Sequence, residues 1–384
     1  MTEQQPVTDP KAPAAAPVEA PAEAPSVAPA PLASAPGILP TDFWVQMAAQ
    51  GDAQPQYDED SDSAYGDDDA SSTASLSSSI FKYRTINGRT YQSGHGDGEY
   101  WAANDEKANE ALDIIHHVLL LSLDGKLHKA PLSNDIQKVV DIGTGTGVWA
   151  IDFADEYPDT EVIGTDLSPI QPTWVPPNCL FQIDDCTQPW TFEPNSIDYV
   201  HIRWLFGSIK DWEGLFTEAY KALKPGGYIE THEPSVSFRS DDGTVHDKTA
   251  MGQFGKFFVE GGKIMGRSMT VVEDCTQRAA LEAAGFTDIQ ETQLKTPIGK
   301  WPKDPKMKEI GAFQQMAVEQ DTEGTMTYLA QMLGWSQHEV IAYVATLRRE
   351  IRSRDIHGFY EQKVLVARKP EQTPDPEGAA TTAT

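Results

Sequence analysis

The fold is indicated most clearly by the stretch Val139-Val140-Asp141-Ile142-Gly143-Thr144-Gly145-Thr146-Gly147. A short apolar run, typical of a buried β-strand, leads into three glycines at alternate positions, and the pattern after them is typical of a helix. Glycine is needed where the backbone adopts a positive φ angle or approaches a ligand closely. The spacing is GxGxG after an acid, and it differs from the dinucleotide-binding GxGxxG pattern. Because Asp141 adds a negative charge beside the loop, we expect a cationic ligand group there rather than a pyrophosphate.

Strand and helix patterns alternate after this loop. A helix is predicted over 149–157 and another over 215–223, before the turn KPGG. The predicted strands that follow the loop are 161–167, 179–185, 196–204, 228–234, 288–299 and 363–370. Strands separated by helices indicate crossover connections and a mostly parallel sheet that is covered on both faces. Longer helical patterns at 248–284 and 305–354 lie outside this simple repeat.

Acidic residues close two of the predicted strands. Asp166 ends the strand after the glycine loop, and Asp185 ends the next strand, where Asp184 competes for the same role. The carboxyl ends of parallel strands meet at one edge of a sheet, which is where open α/β sheets bind ligands. A carboxylate after the second strand can accept hydrogen bonds from both ribose hydroxyls. A carboxylate after the third strand can accept a hydrogen bond from an adenine amine. The alternative for Asp141, Asp166 and Asp185 together is ordinary capping of strand ends, without a ligand.

These motifs resemble those of the class I S-adenosylmethionine-dependent methyltransferases. DIGTGTG, GTDLS, FQIDDC and KPGGYI occur in that order over residues 137–232. A closer resemblance, over about 83–367, is to the fungal LaeA-like methyltransferases of secondary metabolism, through YWAANDEKANEALDIIHHVLLLSLDGKLHKAP, EVIGTDLSPIQPTWVPPNCLFQIDDCTQPW and SIDYVHIR. The resemblance implies a Rossmann-like seven-stranded sheet with helical insertions, S-adenosyl-L-methionine as cofactor, and no metal.

The resemblance also implies roles for individual residues. The glycine loop with Asp141 would hold the methionine end of the cofactor, Asp166 the ribose, and Asp185 with Cys186 the adenine edge. His201 and Arg203 would form the floor of the cofactor site or face the acceptor, and Tyr91, His95, Tyr100 and Trp101 would lie at its entrance. The predicted cofactor-binding set is Asp141, Gly143, Thr144, Gly145, Gly147, Asp166, Leu167, Asp185, Cys186, His201, Arg203 and Tyr100.

Methyl transfer needs a general base only if the acceptor must lose a proton early. His232 and Glu233, at the end of the strand after KPGG, are the candidate catalytic residues, and a structural role is the alternative for both.

In the insertions, Phe254, Phe257, Phe258, Met265 and Trp301 are expected either to roof an apolar acceptor pocket or to pack in the core. Asn104 is the expected N-cap of a helix of four or five turns, and His116 and His117 on that helix are expected to be packing or surface residues.

The ends of the chain differ in composition from its centre. Residues 1–80 hold 13 acids and a single base, with ten prolines before position 41. We predict a disordered tail over 1–80, with Ile38 to Met47 as an alternative partner-docking motif, and a second disordered tail over 371–384. The methyltransferase domain is predicted over 81–370, divided into a lid and helix (81–130), the cofactor core (137–232) and helical insertions with the last strands (233–370).

The overall composition excludes several classes of function. A net charge of −28 argues against direct nucleic-acid binding, which needs clustered lysine and arginine. The sequence has no run of 18 apolar residues and no secretory signal pattern at its start, so we expect no membrane span and an intracellular protein of the nucleus or cytoplasm. Three sparse cysteines, without the spacing of metal ligands, favour reduced thiols.

Three interpretations of the function stay open on the sequence. The first is a methyltransferase that regulates secondary metabolism through protein partners. The second is a pathway enzyme that methylates a small molecule on O, N or C, and the third is a non-catalytic interaction module that keeps the cofactor fold. A nicotinamide dehydrogenase is excluded by the GxGxG spacing.

Overall fold

The computed structural model describes residues 37–50, 83–92 and 100–371. Most of the predicted disordered segments, within 1–80 and 371–384, lies outside these residues. The helices are α1 (Thr41–Ala49), α2 (Glu106–Ser122), α3 (Val148–Glu156), α4 (Trp212–Ala222), α5 (Ala250–Met265), α6 (Thr276–Ala283), α7 (Pro305–Met332) and α8 (Gln337–Arg352). The strands are β1 (Tyr83–Ile86), β2 (Arg89–Gln92), β3 (Lys138–Ile142), β4 (Glu161–Asp166), β5 (Cys179–Ile183), β6 (Ile197–Arg203), β7 (Leu223–Pro234), β8 (Thr287–Pro297) and β9 (Phe359–Arg368).

The centre of the fold is a seven-stranded sheet in the order β5-β4-β3-β6-β7-β9-β8. Strands β3 to β7 pair in parallel, whereas β9 runs antiparallel to both β7 and β8. Val139, Val140, Val200 and Ile202 are buried because helices cover both faces, as expected for apolar runs in parallel strands. The predicted Rossmann-like, mostly parallel sheet with helical insertions is confirmed.

The strand order reverses at β3, which lies between β4 and β6. In open α/β sheets such a switch point leaves a crevice outside the carboxyl ends of the strands, where the connecting loops diverge to opposite faces. The loops after β3, β4, β5 and β6 all start at this edge. The predicted site residues of those loops are therefore brought to one side of the sheet.

Two local predictions are corrected. Asp105, and not Asn104, is the N-cap of α2, because its side chain accepts a hydrogen bond from the backbone N–H of Ala108. The KPGG segment is not a simple turn before a strand, since β7 already begins at Leu223. Pairing with β6 is interrupted after Leu223 and resumes at Tyr228, with Gly226 at a φ of 81° in the irregular part.

The segment 37–50 departs from the predicted disordered tail. Trp44 of α1 is fully buried, with its ring 5.1 Å from that of Tyr343 on α8. The backbone N–H of Leu39 donates to Gln253 on α5 at 2.9 Å. The average composition of residues 1–80 does not predict this helix, because its few apolar residues lie between two long polar segments.

The predicted helical insertions form α5 to α8. Helix α7 is interrupted at Asp321, whose φ and ψ of −136° and 41° are not helical. The hairpin of β1 and β2 lies against this interruption, because the Tyr91 hydroxyl donates to the carbonyl of Gly324 at 3.0 Å. Within the described ranges, no helix has both the length and the apolar composition needed to cross a membrane.

Candidate functional site

The glycine loop between β3 and α3 has the positive φ angles that its sequence predicts. Gly143 and Gly147 have φ of 68° and 80°. A Cβ atom on Gly143 would lie 2.5 Å from a methyl carbon of Leu205, and one on Gly147 would lie 2.3 Å from the ring of Phe181. Larger residues do not fit at these positions without displacing their neighbours. Gly143, Thr144 and Gly145 line a cavity of about 250 Å³, and Gly147 caps α3 behind it.

Asp141 lies beneath the loop rather than at the cavity surface. Its two carboxylate oxygens are occupied, one by the Thr144 hydroxyl at 2.6 Å and the other by Nδ1 of His201 at 2.7 Å. The His201 ring stacks on Trp149, with centroids 3.7 Å apart. Burial lowers the pKa of His201, although the hydrogen bond that His201 donates to Asp141 opposes this effect. The pair therefore fixes the loop from below, and neither Asp141 nor His201 is among the described residues that line the cavity.

Asp166, at the end of β4, lines the cavity next to Leu167. One of its oxygens accepts from the backbone N–H of Gly145 at 2.8 Å, and the other accepts from that of Ser168 at 2.9 Å. Burial raises the pKa of Asp166 to about 6 despite these donors. Each oxygen keeps a lone pair, so the ionised group can still accept hydrogen bonds from a ligand.

Asp184, Asp185 and Cys186 follow β5 and also line the cavity. One Asp185 oxygen accepts from both the backbone N–H and the hydroxyl of Thr187, which holds the carboxylate in place. No hydrogen bond of the Asp184 side chain occurs among the described residues. Burial raises the pKa of the Cys186 thiol to about 12, so this group stays protonated. Asp185 is thus the more ordered of the two candidate carboxylates.

Arg203 ends β6 and is the one cationic side chain among the described residues that line the cavity. Its Nη1 lies 3.2 Å from Nδ1 of His116, whose Nε2 lies 3.0 Å from Asp152. Burial lowers the pKa of Arg203 while nearby carboxylates oppose that shift. His116, expected to pack or to face solvent, instead positions this guanidinium.

The predicted entrance residues divide into two groups. Tyr100 lines the cavity, and burial raises the pKa of its hydroxyl. Trp101 also lines it, and its indole N–H donates to the Phe206 carbonyl at 3.0 Å. Tyr91 is fully buried and lies off the cavity, and His95 falls outside the described residues.

The predicted catalytic pair does not line the cavity. Glu233 is fully buried, and its two oxygens accept from the backbone N–H groups of Leu205 and Phe206, each at 3.0 Å. His232 is 2% exposed, and burial lowers its pKa to about 3, so it is neutral. A side chain without access to the cavity cannot exchange a proton with a substrate there. The structure does not place the predicted catalytic pair at the cavity: Glu233 binds the loop after β6, and His232 is a buried strand residue.

The far side of the cavity is mainly apolar and aromatic. Of the five insertion residues singled out in the sequence, Phe254 and Phe258 line it. Phe257 instead packs between Trp335 and Tyr343, and Met265 and Trp301 lie elsewhere. Phe238 stacks on Phe254 with ring centroids 4.4 Å apart.

Helix α7 contributes polar residues to the cavity that the sequence pattern does not predict. Gln314 and Asp321 are 4% and 6% exposed, and both line the cavity. The signal was the sequence Asp-Thr-Glu-Gly at 321–324 inside a helical pattern, where glycine is unfavourable. Among the described residues, no cluster of three or more His, Cys, Asp or Glu could hold a metal ion.

The chain is similar to a set of named fungal proteins. It is 36% identical over 305 residues to the methyltransferase pytC of Aspergillus terreus, covering 79% of this chain and 93% of that protein. It is 35% identical over 293 residues to the secondary metabolism regulator LAE1 of Cochliobolus heterostrophus, covering 74% and 94%. The secondary metabolism regulator laeA of Gibberella zeae is 31% identical, with 71% and 88% covered.

A protein family and a solved structure are also similar to this chain. The family described as "Methyltransferase domain" matches residues 106–291. The Haemonchus contortus phosphoethanolamine N-methyltransferase 2, solved with S-adenosyl-L-methionine, is 24% identical, covers 68% of this chain and 53% of its own, and has a TM-score of 0.39. The sequence relatives, with the glycine loop and the sheet order, show that the chain belongs to the LaeA-like methyltransferases of fungal secondary metabolism.

Proposed function

We propose that this protein transfers a methyl group from S-adenosyl-L-methionine to a small acceptor molecule bound in the same cavity. One observation carries the proposal. The cavity joins the polar loops at the carboxyl ends of β3 to β6 with an aromatic side formed by α5 and by Phe238. Such a cavity offers polar groups to a charged cofactor at one end and an apolar surface to an acceptor at the other.

The residues that line the polar end fit the chemistry of this cofactor. The cofactor carries a ribose diol, an adenine amine, a carboxylate and a sulfonium. Asp166 suits the diol, Asp185 or Asp184 the amine, and Arg203 the carboxylate. Gly143 has no space for a Cβ atom beside Leu205, and Gly145 has a φ of 60°, which favours glycine.

The chain's own residues would mainly orient the reactants and exclude water. The bound cofactor supplies a methyl group that its positive sulfur activates, so the barrier depends chiefly on alignment and on a dry site. Tyr100 and Trp101 line the cavity, and aromatic faces attract a sulfonium. Trp101 is held in place by its hydrogen bond to the Phe206 carbonyl. Glu233, which accepts from the backbone N–H groups of Leu205 and Phe206, fixes the segment that Trp101 contacts.

Label transfer tests this function. Purified protein is incubated with methyl-labelled S-adenosyl-L-methionine and an extract of the cells that produce it, and label in protein is separated from label in organic-extractable compounds. We expect extractable label that Asp166→Ala reduces by at least tenfold. Extractable label that is equal with the wild-type protein and with the variant would contradict the proposal.

A second function is favoured by the relatives. LAE1 and laeA are named secondary metabolism regulators and are 35% and 31% identical to this chain. A regulator would act through protein partners in the nucleus or the cytoplasm, without direct contact to nucleic acid. Variant-sensitive label on protein would support this role. Cofactor binding without any label transfer would support a non-catalytic module.

A further inference from the structure

Asp321 is a buried carboxylate of α7 that lines the cavity and to which the site as described above gives no role. It lies where α7 loses its helical geometry, and it is 6% exposed while lining the cavity. One oxygen, Oδ1, accepts from Nη1 of Arg89 at 2.5 Å and from the backbone N–H of Gly324 at 3.2 Å. The other oxygen, Oδ2, has no hydrogen-bond partner among the described residues. A carboxylate oxygen that lines a cavity and has no protein donor is free to accept a hydrogen bond from a ligand.

Arg89 holds the Asp321 carboxylate in place, and it opposes the rise in the pKa of Asp321 that burial causes. Arg89 also donates to both oxygens of Asp105, at 2.5 and 2.7 Å. The guanidinium thus bridges Asp105, at the start of α2, and Asp321 on α7. Asp105 does not line the cavity, so only one end of this bridge faces a ligand.

Asp321 lines the same cavity as Asp166 and the aromatic residues Phe238, Phe254 and Phe258. The negative charges of Asp166 and Asp321 both raise the pKa of the Tyr100 hydroxyl, in addition to the effect of burial. A donor group on an apolar ligand can therefore meet Oδ2 while its rings contact these aromatic side chains.

We propose that Asp321 binds the reacting O–H or N–H group of an acceptor that is otherwise apolar and carries a ring. This inference rests on the proposed function and names its class of substrate. As the acceptor's oxygen or nitrogen forms its bond to the methyl carbon, the carbon–sulfur bond breaks and sulfur keeps the electron pair. The acceptor's proton passes to Oδ2 of Asp321 and then to solvent. Arg89 positions the carboxylate throughout.

Binding of two matched probes tests the assignment. The probes are 2-naphthol, which carries a donor hydroxyl, and 2-methoxynaphthalene, which lacks it. Dissociation constants are measured by quenching of tryptophan fluorescence, with S-adenosylhomocysteine present. We expect the wild-type protein to bind 2-naphthol about tenfold more tightly, because a hydrogen bond to a buried charged group contributes that order of affinity.

Two variants separate ligand contact from structural support. Asp321→Asn keeps the shape of the side chain but replaces the Oδ2 acceptor by an N–H donor, so we expect equal binding of the two probes. Asp105→Asn weakens the same ion-pair network away from the cavity, so we expect the preference to remain. Equal binding of the two probes by the wild-type protein, or a preference that survives in Asp321→Asn, would overturn the proposal. Failure of the wild-type protein to bind either probe would also overturn it.

The proposed function has its own readout in the same experiment. S-adenosylhomocysteine is titrated separately into the three proteins, and we expect similar affinities, since Asp321 and Asp105 are not in its polar subsite. If it does not bind, the proposed function fails. If it binds equally while the probe preference is absent, only the assignment of Asp321 fails.

Discussion

At the scale of single residues, Asp166 couples the cofactor site to pH. Its pKa of about 6 in the folded protein means that it is largely protonated below pH 6. Only the ionised carboxylate can accept from both ribose hydroxyls without losing an acceptor to its own proton. We therefore expect the affinity for S-adenosylhomocysteine to be constant above pH 7 and to fall by up to about tenfold per unit below pH 6.

Titration calorimetry between pH 5 and pH 8 checks this expectation. Asp166→Asn should bind more weakly at every pH but without the decline below pH 6. A wild-type affinity that does not change over this range would contradict the role of Asp166.

We expect substitutions of the two adjacent acids after β5 to weaken cofactor binding to different extents. Asp185 is held by Thr187, whereas Asp184 has no side-chain hydrogen bond within the described part of the chain. A fixed carboxylate loses less freedom on binding an adenine amine, so we expect Asp185→Asn to weaken cofactor binding about tenfold and Asp184→Asn about twofold at most. Calorimetry with the two variants decides between them, and a larger loss in Asp184→Asn would reverse the assignment.

Glu233 should make stability depend on pH. Burial raises its pKa to about 8, with the backbone donors of Leu205 and Phe206 opposing the shift. A carboxyl whose pKa is raised on folding stabilises the protein fully below its unfolded value, near 4.5, and this contribution is lost as the pH rises through 8. We expect the free energy of unfolding to fall between pH 5 and pH 8 by about 3 to 5 kcal/mol more in the wild-type protein than in Glu233→Gln.

Urea denaturation at the two pH values measures this difference. The exposed Glu193→Gln serves as the matched control and should behave like the wild-type protein. An equal pH dependence in Glu233→Gln would show that the group is ionised at both pH values.

At the scale of elements, α1 is a part of the folded domain whose removal should be costly. Trp44 is fully buried, packed edge-on against Tyr343, while Gln46 of the same helix is exposed. We expect Trp44→Ala to lower the free energy of unfolding by about 3 to 5 kcal/mol, because it leaves a large cavity. Gln46→Ala should change it by less than about 0.5 kcal/mol. Equal effects in urea denaturation would show that α1 does not pack on α8 in solution.

The elements that the sequence predicts well are those with strong local signals. The alternation around the glycine loop predicts β3 to β7 and their helices, since buried parallel strands are continuous apolar runs. The N-cap of α2 was placed one residue early because Asn104 and Asp105 are both good capping residues and only their contacts decide. Helix α1 was missed because its stability comes from packing on distant residues, not from its own sequence.

At the scale of the whole molecule, the cofactor half of the site was predictable and the acceptor half was not. The acids at the strand ends follow from topology, which places consecutive loops at one edge. The acceptor side combines α5, α7 and Phe238, which no periodic pattern relates to the sheet. The position of Glu233 relative to the cavity was not predictable from the sequence for a related reason. A carboxylate at a strand end looks the same in sequence whether it faces a ligand or binds the next loop.

Calorimetric titration of S-adenosylhomocysteine at pH 7.5 into three proteins tests whether the cofactor binds at the carboxyl ends of β3 to β6. These are the wild-type protein, Asp166→Ala and Asp159→Ala, the last a change at an exposed turn residue away from the cavity. We predict one site per chain in the wild-type protein, the same affinity in Asp159→Ala, and at least about 30-fold weaker binding in Asp166→Ala. Absence of binding to the wild-type protein, or equal binding by all three, would contradict a cofactor site at the carboxyl ends of β3 to β6.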